Sequence, residues 1–401
     1  MIQLSNRVQQ LGESATLKMA QLARSLKAQG KPVISLTLGE PDYDTPEHIK
    51  QAAVEALAQG YTKYTPVPGL LELRQAICMK LQRDNQLSYK PEEIVVSNGA
   101  KQSFYNLCNA LINEGDEVAV IAPYWVSYKE MIELSGGVPV YISAGIEQDF
   151  KISAQQLRQA LTEKTKMLVF SSPCNPTGAV FSKEELMSFC EVLQDFPNVV
   201  IISYEIYEYI NFTPKGHVSI AAIGNENIKA RTAVINGFSK GFAMTGWRLG
   251  YIAAPKWLAD ACNKIQGQCT SGASSFAQRA AITALEQGMD IYMDMTANFL
   301  KRRDLLLSLL HPIKGIKCNL PQGAFYVFPD ISEYIGKQYK GHTIHSAEDF
   351  CLHLLDDYYV ATVAGEGFGA PTCMRISYAT SEAELREACK RIGEFVAQIQ
   401  D

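Results

Sequence analysis

Residues 233–250 read AVINGFSKGFAMTGWRLG, and this stretch contains the most informative side chains of the protein. An apolar, strand-like run at 233–235 ends in an Asn-Gly turn, after which Ser239 and Lys240 precede Arg248. A lysine amine on such a turn can condense with an aldehyde, while a hydroxyl and a guanidinium bind a phosphate on the same molecule. Pyridoxal phosphate (PLP) carries both groups. A lone Ser-Lys after a turn is usually a surface feature, so other residues must supply the remaining contacts.

Strand-like and helix-like segments alternate from about residue 45 to 255. The strand-like runs are apolar and rich in β-branched residues, which predicts strands buried on both faces of a mostly parallel sheet. These runs are Ile94–Val96, Val118–Ile121, Val138–Ile142, Met167–Phe170, Val199–Ile202, Ala233–Ile235 and Leu249–Ala254. Capping boxes at Ser153 and Ser182 open two helices, and Thr45 is predicted to cap a third, with Pro46 at its first position. The pattern predicts an α/β fold with ligands at the carboxyl ends of the strands.

The pattern changes after about residue 275. A long helical tract is predicted over Phe276–Leu310, followed by strand-like pieces at Gly323–Phe328 and Met374–Tyr378. The last segment opens with Ser381-x-x-Glu384 and is predicted to run helical to the end of the chain. This part is predicted to form a smaller α+β domain.

The length of 401 residues predicts two domains. We expect an N-terminal arm and part of the small domain at 1–44, a large domain at 45–290, and the small C-terminal domain at 291–401. The net charge of −5 gives no reason to expect a nucleic-acid partner. The sequence contains no apolar run of 18 residues, and its first residues lack the apolar core of a signal peptide. We therefore predict neither a membrane partner nor secretion, and we expect a cytoplasmic location.

Metal binding and disulfides are not predicted. The ten cysteines are scattered without a C-x-x-C pair, so most are expected to be small buried apolar residues. His342 and His345 form an H-x-x-H pattern without nearby cysteine or carboxylate partners, which favours a solvated loop.

The loops that follow the predicted strands are rich in unusual residues. Gly99 lies where a strand leads into a helix, and such a helix start attracts phosphate. Trp125 either stacks on a flat cofactor or belongs to the core, and by itself the core is favoured. Asn175 lies between two prolines, which would hold its amide on a stiff loop, with a cis X-Pro bond as one option. Tyr204 and Tyr207 end the fifth strand.

Seven motifs along the chain form a specific pattern. They are LGEPDYDTP (38–46), KYTP (63–66), PYWVSY (123–128), NPTG (175–178), FSKGFAMTGWRLGY (238–251), GAFYV (323–327) and RISYATSEAEL (375–385). With these motifs the chain resembles the class I aminotransferases, which are fold-type-I PLP enzymes, and most closely their bacterial aspartate aminotransferase branch. The similarity runs from about Ser14 to the C-terminus, and it implies a homodimer with shared active sites.

The resemblance implies roles for residues around the cofactor. Lys240 would bind PLP covalently and then shuttle a proton on the substrate, with burial and Arg248 favouring its neutral form. Trp125 would stack on the pyridine ring, and Asn175 and Tyr207 would hydrogen-bond its phenolic oxygen, which makes Tyr207 a second catalytic residue. The phosphate would be held by Ser239, Arg248, the backbone of Gly99, Ala100 and Lys101, and Tyr64 of the adjacent subunit.

The resemblance also implies how substrate binds. Arg375 would hold the α-carboxylate, because a planar guanidinium fits a carboxylate in two-pronged geometry. Gly39, Trp125 and Asn175 would contact the same end of the substrate. Thr16 and Lys101 match positions used for the distal carboxylate of aspartate and glutamate. Relatives that act on prephenate tend to carry a basic residue near position 12, where this chain has Gly12.

One departure from the family pattern concerns Tyr204. The pattern Ser-Asp-Glu-Ile-Tyr is replaced here by Ser-Tyr-Glu-Ile-Tyr at 203–207. The missing aspartate would salt-bridge the pyridine nitrogen, which a phenol with a pKa of about 10 does not do at neutral pH. Glu205 points to the opposite face of the strand, since successive strand residues alternate. Tyr204 is therefore predicted to contact PLP as a neutral group, with intact cofactor binding and slow transamination.

The leading hypothesis is transfer of an amino group between aspartate and 2-oxoglutarate by a ping-pong cycle. A prephenate or aromatic aminotransferase and a β-eliminating C–S lyase of the same fold are the alternatives among enzymes. A PLP-binding protein with a regulatory function is the alternative outside enzymes, and Tyr204 is its only support.

Overall fold

The computed structural model describes residues 3–12, 14–286 and 290–401. A seven-stranded sheet forms its centre, with the spatial order β2-β8-β7-β6-β5-β3-β4. Its strands are Ile94–Ser97 (β2), Glu117–Ala122 (β3), Val138–Ser143 (β4), Thr165–Ser171 (β5), Val200–Tyr204 (β6), Thr232–Gly237 (β7) and Gly250–Ala253 (β8), and Ile34–Ser35 (β1) lies outside it. Every predicted strand is present. Only β8 runs antiparallel to its neighbours β2 and β7, so the predicted mostly parallel sheet is confirmed.

Helices cover both faces of this sheet. The helices up to residue 310, including α2 and α13, which pack against the smaller part described below, are in chain order Asn6–Gln10 (α1), Ala15–Ala28 (α2), Glu47–Ala58 (α3), Leu71–Asn85 (α4), Ala100–Leu111 (α5), Ser127–Leu134 (α6), Ala154–Ala160 (α7), Lys183–Gln194 (α8), Ile220–Ile223 (α9), Glu226–Lys229 (α10), Lys256–Cys269 (α11), Ser275–Glu286 (α12) and Asp290–Leu310 (α13). Val118 and Val120 of β3 face one apolar core, whereas Ala119 and Ile121 face the other. The alternation of side chains along a strand thus explains why these strands are apolar throughout.

The prediction of a buried strand was wrong for Val138–Ile142. This strand, β4, lies at the edge of the sheet and pairs only with β3. Val138 and Tyr141 remain 49% and 41% exposed. The run resembles a central strand in composition, but β-branched residues also suit a half-covered edge.

One helix prediction was also wrong in detail. Thr45 does not cap α3, whose N-cap is Pro46; instead, the Thr45 hydroxyl donates to the Ala243 carbonyl at 2.7 Å and accepts from the Trp247 indole at 3.0 Å. The helical tract predicted over Phe276–Leu310 is present as α12 and α13, and 287–289 lie outside the described residues. The capping boxes at Ser153 and Ser182 are present as predicted.

A smaller α+β part follows the sheet. Its elements are Tyr326–Val327 (β9), Gln338–Tyr339 (β10), His342–Thr343 (β11), Ala347–Tyr358 (α14), Val360–Ala361 (β12), Val363–Ala364 (β13), Met374–Ser377 (β14) and Glu382–Val396 (α15). Strands β13, β14 and β9 form an antiparallel sheet, and β1 pairs in parallel with β12. The N-terminal segment therefore contacts the C-terminal part, while domain boundaries at 44 and 290 stay a prediction. No helix in the described part of the chain is both long and apolar enough to cross a membrane.

Candidate active site

A cavity of about 260 Å³ lies at the carboxyl ends of the sheet strands, against the smaller α+β part. Most of the residues predicted for cofactor and substrate line it: Thr16, Gly39, Ala100, Lys101, Trp125, Asn175, Tyr204, Tyr207, Ser239, Lys240, Arg248 and Arg375. They come from loops far apart in sequence, and the parallel strands bring these loops to one edge of the sheet. Gly99 lies directly behind Arg248, whereas Tyr64 is 99% exposed and lies outside the cavity.

Lys240 is enclosed by protein except where it opens onto the cavity. Its amine donates to the carbonyl of Gly39, and it lies 6.0 Å from the ring centroid of Tyr207. Burial lowers the pKa of Lys240 to about 8, and the neighbouring cations Arg375, Arg248 and Lys101 act in the same direction against Glu40. This direction agrees with the neutral amine that the sequence predicts.

A phosphate-sized anion would find several free donors beside Arg248. Helix α5 begins at Ala100 without a side-chain cap, and the backbone N–H groups of Ala100 and Lys101 have no acceptor among the described residues. Gly99 has a φ of +86°, and a Cβ there would lie 2.3 Å from the Arg248 guanidinium. Only glycine lets the backbone approach the guanidinium this closely. A helix start next to a guanidinium is an anion-binding arrangement.

Arg375 is a buried cation that has no acidic partner among the residues that the structure describes. Its guanidinium donates to Asn175 Oδ1 at 3.0 Å and to the Thr37 carbonyl at 2.6 Å, and only 2% of the residue is exposed. Its Nε makes no hydrogen bond within the described residues. The rings of Tyr326 and Phe368 lie 4.6 Å and 5.1 Å from the guanidinium carbon. A buried guanidinium held only by neutral acceptors is ready to bind a carboxylate.

Two tyrosine hydroxyls meet next to Arg375. Tyr207 and Tyr326 share a hydrogen bond of 2.8 Å, and burial raises the pKa of both phenols. Tyr326 also approaches Gly39, where a Cβ would lie 2.7 Å from its hydroxyl. Each phenol therefore keeps its proton at neutral pH, and one donates to the other at the wall of the cavity.

Tyr204 is the last residue of β6 and packs among aromatic rings. Its ring centroid lies 5.5 Å from that of Trp125 at an interplanar angle of 43°, and 5.7 Å from that of Tyr128. Burial raises the pKa of Tyr204, although Arg248 opposes the shift. The phenol is therefore neutral at neutral pH.

Glu205 faces away from the cavity, as the sequence predicts. It accepts hydrogen bonds from Ser203 at 2.7 Å and Ser219 at 2.6 Å, and its second oxygen lies 2.8 Å from His217 Nε2. Although burial acts the other way on both groups, this contact lowers the pKa of Glu205 and raises that of His217. Their ligand atoms and those of Glu208 lie within 4.8 Å of one another, but His217 and Lys80, which is ion-paired with Glu208, already supply positive charge.

Thr16 and Lys101 lie on the side of the cavity near the N-terminal segment. The Thr16 hydroxyl is buried without a hydrogen-bond partner in the described structure. Lys101 Nζ lies 5.2 Å from the Trp125 ring centroid, and burial lowers its pKa. Nearby, the Gly12 amide donates to Glu130 at 3.1 Å. Thr16 and Lys101 thus offer hydrogen-bond donors for a second carboxylate.

Comparisons with known proteins identify the family. The description "Aminotransferase class I and II" matches residues 31–392. The chain belongs to this aminotransferase family. It is 47% identical over 393 residues to an aspartate aminotransferase of Bacillus sp., covering 98% of this chain and 99% of that one. An aspartate/prephenate aminotransferase of Nitrosomonas europaea is 44% identical over 398 residues, covering 99% of this chain and 100% of that one.

Solved aminotransferases share the fold as well. The aspartate aminotransferase of Rhizobium meliloti superposes with a TM-score of 0.96 at 41% identity, covering all of both chains. That of Thermus thermophilus with maleate gives 0.91 at 40% identity, covering 98% of this chain and 100% of that one. The fold-type-I architecture predicted from the motifs is thereby confirmed.

The residues of the cavity fit PLP in charge and chemistry. The free N–H groups at the start of α5, together with Ser239 and Arg248, suit its phosphate, and the amine of Lys240 suits its aldehyde. Trp125 offers an aromatic face for its ring.

Sequence reasoning missed Tyr326 and His217. Tyr326 lies within the quoted motif GAFYV on β9, which pairs with β14, the strand of Arg375. This pairing of two predicted strands could have indicated that Tyr326 lies near the site. His217 follows a Lys-Gly turn and carries no signal of burial in the sequence.

Proposed function

We propose that this chain is a PLP-dependent aminotransferase that moves an amino group between L-aspartate and 2-oxoglutarate by a ping-pong cycle. One observation carries the proposal: Arg375, a buried cation whose described neighbours include no acidic partner, shares a cavity with Lys240, whose pKa burial lowers to about 8. The names of the relatives support it, and the related Thermus thermophilus structure carries maleate, a four-carbon dicarboxylate.

Each residue around the cofactor has a task. When bound, PLP supplies an aldehyde for the amino group and a ring that withdraws electrons from the substrate Cα. Lys240 holds the cofactor and, as a neutral amine, accepts the Cα proton. Ser239, Arg248 and the N–H groups of Ala100 and Lys101 bind its phosphate, and Trp125 covers its ring.

Three residues bind substrate, and a fourth orients one of them. Arg375 binds the α-carboxylate and keeps the carbonyl contact with Thr37 as an anchor. Thr16 and Lys101 bind the distal carboxylate, because the hydroxyl lacks a partner in the described structure and the ammonium lines the same cavity. Asn175 orients Arg375 through its 3.0 Å hydrogen bond.

Amino-donor profiling with 2-oxoglutarate tests this proposal. We expect aspartate and glutamate to give the highest kcat/KM, with Arg375→Lys as the matched variant that keeps charge but loses the planar fork. Release of pyruvate and ammonia without an acceptor would instead indicate a C–S lyase. No absorbance change of the bound cofactor over hours with aspartate would indicate a PLP-binding regulatory protein and refute the enzyme proposal.

Prephenate is the second candidate substrate, because several relatives are named aspartate/prephenate aminotransferases. Prephenate carries a second carboxylate, and at position 12, where relatives that act on prephenate tend to carry a basic residue, this chain has Gly12, whose amide donates to Glu130 at 3.1 Å. We therefore expect aspartate to exceed prephenate in kcat/KM. Including prephenate as amino acceptor in the same assay separates the two.

We also infer a homodimer with shared sites and a cytoplasmic location. Tyr64 is 99% exposed, and Val54, Leu57 and Phe276 border a groove that leads to Arg248. A partner on this face would cover the apolar side chains and bring its Tyr64 toward the phosphate donors. Mixing Tyr64→Ala protein with Lys240→Ala protein tests this arrangement: mixed dimers should regain one tight PLP site, whereas unchanged weak binding would contradict shared sites.

A further inference from the structure

The cavity is strongly asymmetric in charge. Its lining contains four cationic side chains, Lys101, Lys240, Arg248 and Arg375. Within the described residues 3–12, 14–286 and 290–401, no carboxylate lines it. This composition suits a phosphate and substrate carboxylates, but it leaves the pyridine nitrogen of the cofactor without an anionic partner.

The nearest carboxylates are already bound elsewhere. Glu205 follows Tyr204 directly, but it faces the other side of β6, where it is engaged by two serines and His217. Glu40 accepts a hydrogen bond from the Thr245 hydroxyl at 2.9 Å and borders the outer groove rather than the cavity. Neither can turn into the cavity without leaving these contacts.

The remaining candidates cannot hold a proton on the nitrogen. A guanidinium or an ammonium only donates hydrogen bonds, and like charges disfavour a cationic ring. A neutral phenol can donate a hydrogen bond to an unprotonated nitrogen. Tyr204 is the phenol that can make this hydrogen bond, because it ends β6 beside Trp125, the residue predicted to stack on the ring.

We propose that this cavity holds PLP with its pyridine nitrogen unprotonated at neutral pH, and that Tyr204 is the residue that faces this nitrogen. The inference rests on the proposed function, since it presupposes PLP on Lys240. An unprotonated ring withdraws electrons from the substrate Cα less strongly than a protonated one. Tyr204 thereby sets the rate of proton removal without touching the proton itself.

Nitrogen-15 NMR of the holoenzyme measures the protonation state directly. The apoprotein is reconstituted with PLP labelled at the pyridine nitrogen, and free labelled PLP titrated in the same buffer supplies reference shifts for both states. We expect the wild-type signal at the unprotonated position from pH 6 to 9. A wild-type signal at the protonated position at pH 7 would overturn the proposal, and this measurement needs no variant.

Tyr204→Asp and Tyr204→Asn form a matched pair. Both remove the ring from its contacts with Trp125 and Tyr128 and leave a similar void, so only the charge differs between them. We expect the protonated signal in the Asp variant alone, with kcat about tenfold or more above that of the Asn variant, equivalent to about 1.4 kcal/mol. An unprotonated signal in the Asp variant would refute Tyr204 as the facing residue.

Borohydride reduction distinguishes a failure of this inference from a failure of the proposed function. A mass adduct on Lys240 together with a protonated wild-type nitrogen would overturn only this inference. Absence of the adduct would overturn the proposed function, and the inference with it. An adduct together with an unprotonated nitrogen supports both.

Discussion

The amine of Lys240 should titrate near pH 8 in the apoprotein. Burial lowers its pKa from the ordinary 10.5 to about 8, a difference of about 3 kcal/mol between its charged and neutral forms. At pH 7 about 10% of the amine is then neutral, compared with about 0.03% for an ordinary lysine. The free amine is thus about 300-fold more abundant, which favours condensation with an aldehyde at neutral pH.

Competitive acetylation of the apoprotein across pH 6–11 measures this midpoint. Peptide mass spectrometry reports labelling of Lys240, with the exposed Lys183 as an internal reference. Arg375→Gln removes a neighbouring cation and should move the midpoint upward, whereas Glu40→Gln removes an anion and should move it downward. Arg375→Lys keeps the charge and serves as the matched control.

The opposite shifts of the two variants isolate electrostatics from general damage to the fold. A wild-type midpoint at or above pH 10 would show that the amine is not desolvated and would refute the reasoning. Shifts of the same sign in Arg375→Gln and Glu40→Gln would show that both act through structural loosening instead of charge.

Further predictions concern stability, cofactor affinity and substrate choice. His217→Gln should lower the free energy of unfolding by about 3–5 kcal/mol at pH 6, because Glu205 stays buried without its counter-charge. In wild type this stabilisation is complete below about pH 6.5 and is lost as the pH rises through the raised pKa of His217. Urea denaturation at several pH values should show this loss in wild type but not in the variant. Gly99→Ala should weaken PLP binding roughly tenfold or more in an equilibrium titration, since its Cβ displaces Arg248; unchanged affinity would contradict the close approach. Thr16→Val should lower kcat/KM for aspartate about tenfold in steady-state assays and leave that for alanine unchanged, because only aspartate has a distal carboxylate.

The large sheet and most of the cavity could be predicted because they depend on local patterns. Runs such as Val118–Ile121 have the length and composition of strands, and a parallel arrangement collects the residues that follow each strand at one edge. Lys240, Asn175 and Arg375 each lie at such a position or within a quoted motif. Their assembly in one cavity follows from topology.

Contacts between distant segments could not be predicted. Lys80 and Glu208 are separated by 128 residues, yet they form a buried ion pair next to Asn85. Thr45 illustrates the same limit on a smaller scale, because a tertiary hydrogen bond to Ala243 replaced the local cap that its position suggested. In both cases a polar side chain contacts a partner far along the chain. The residues next to it in sequence therefore do not reveal the contact.

The charges on the two sides of β6 are balanced in different ways. On the far side, Glu205 and Glu208 are balanced by His217 and Lys80, so that side is complete without a ligand. On the cavity side, the cations have no anion among the described lining residues. Because a buried charge is costly unless it is paired, a bound carboxylate would stabilise the buried guanidinium of Arg375, in line with the proposed function. Tyr204 lines the cavity as a neutral phenol, so it adds no negative charge there. The positive charge of the cavity therefore stays available for anionic ligands.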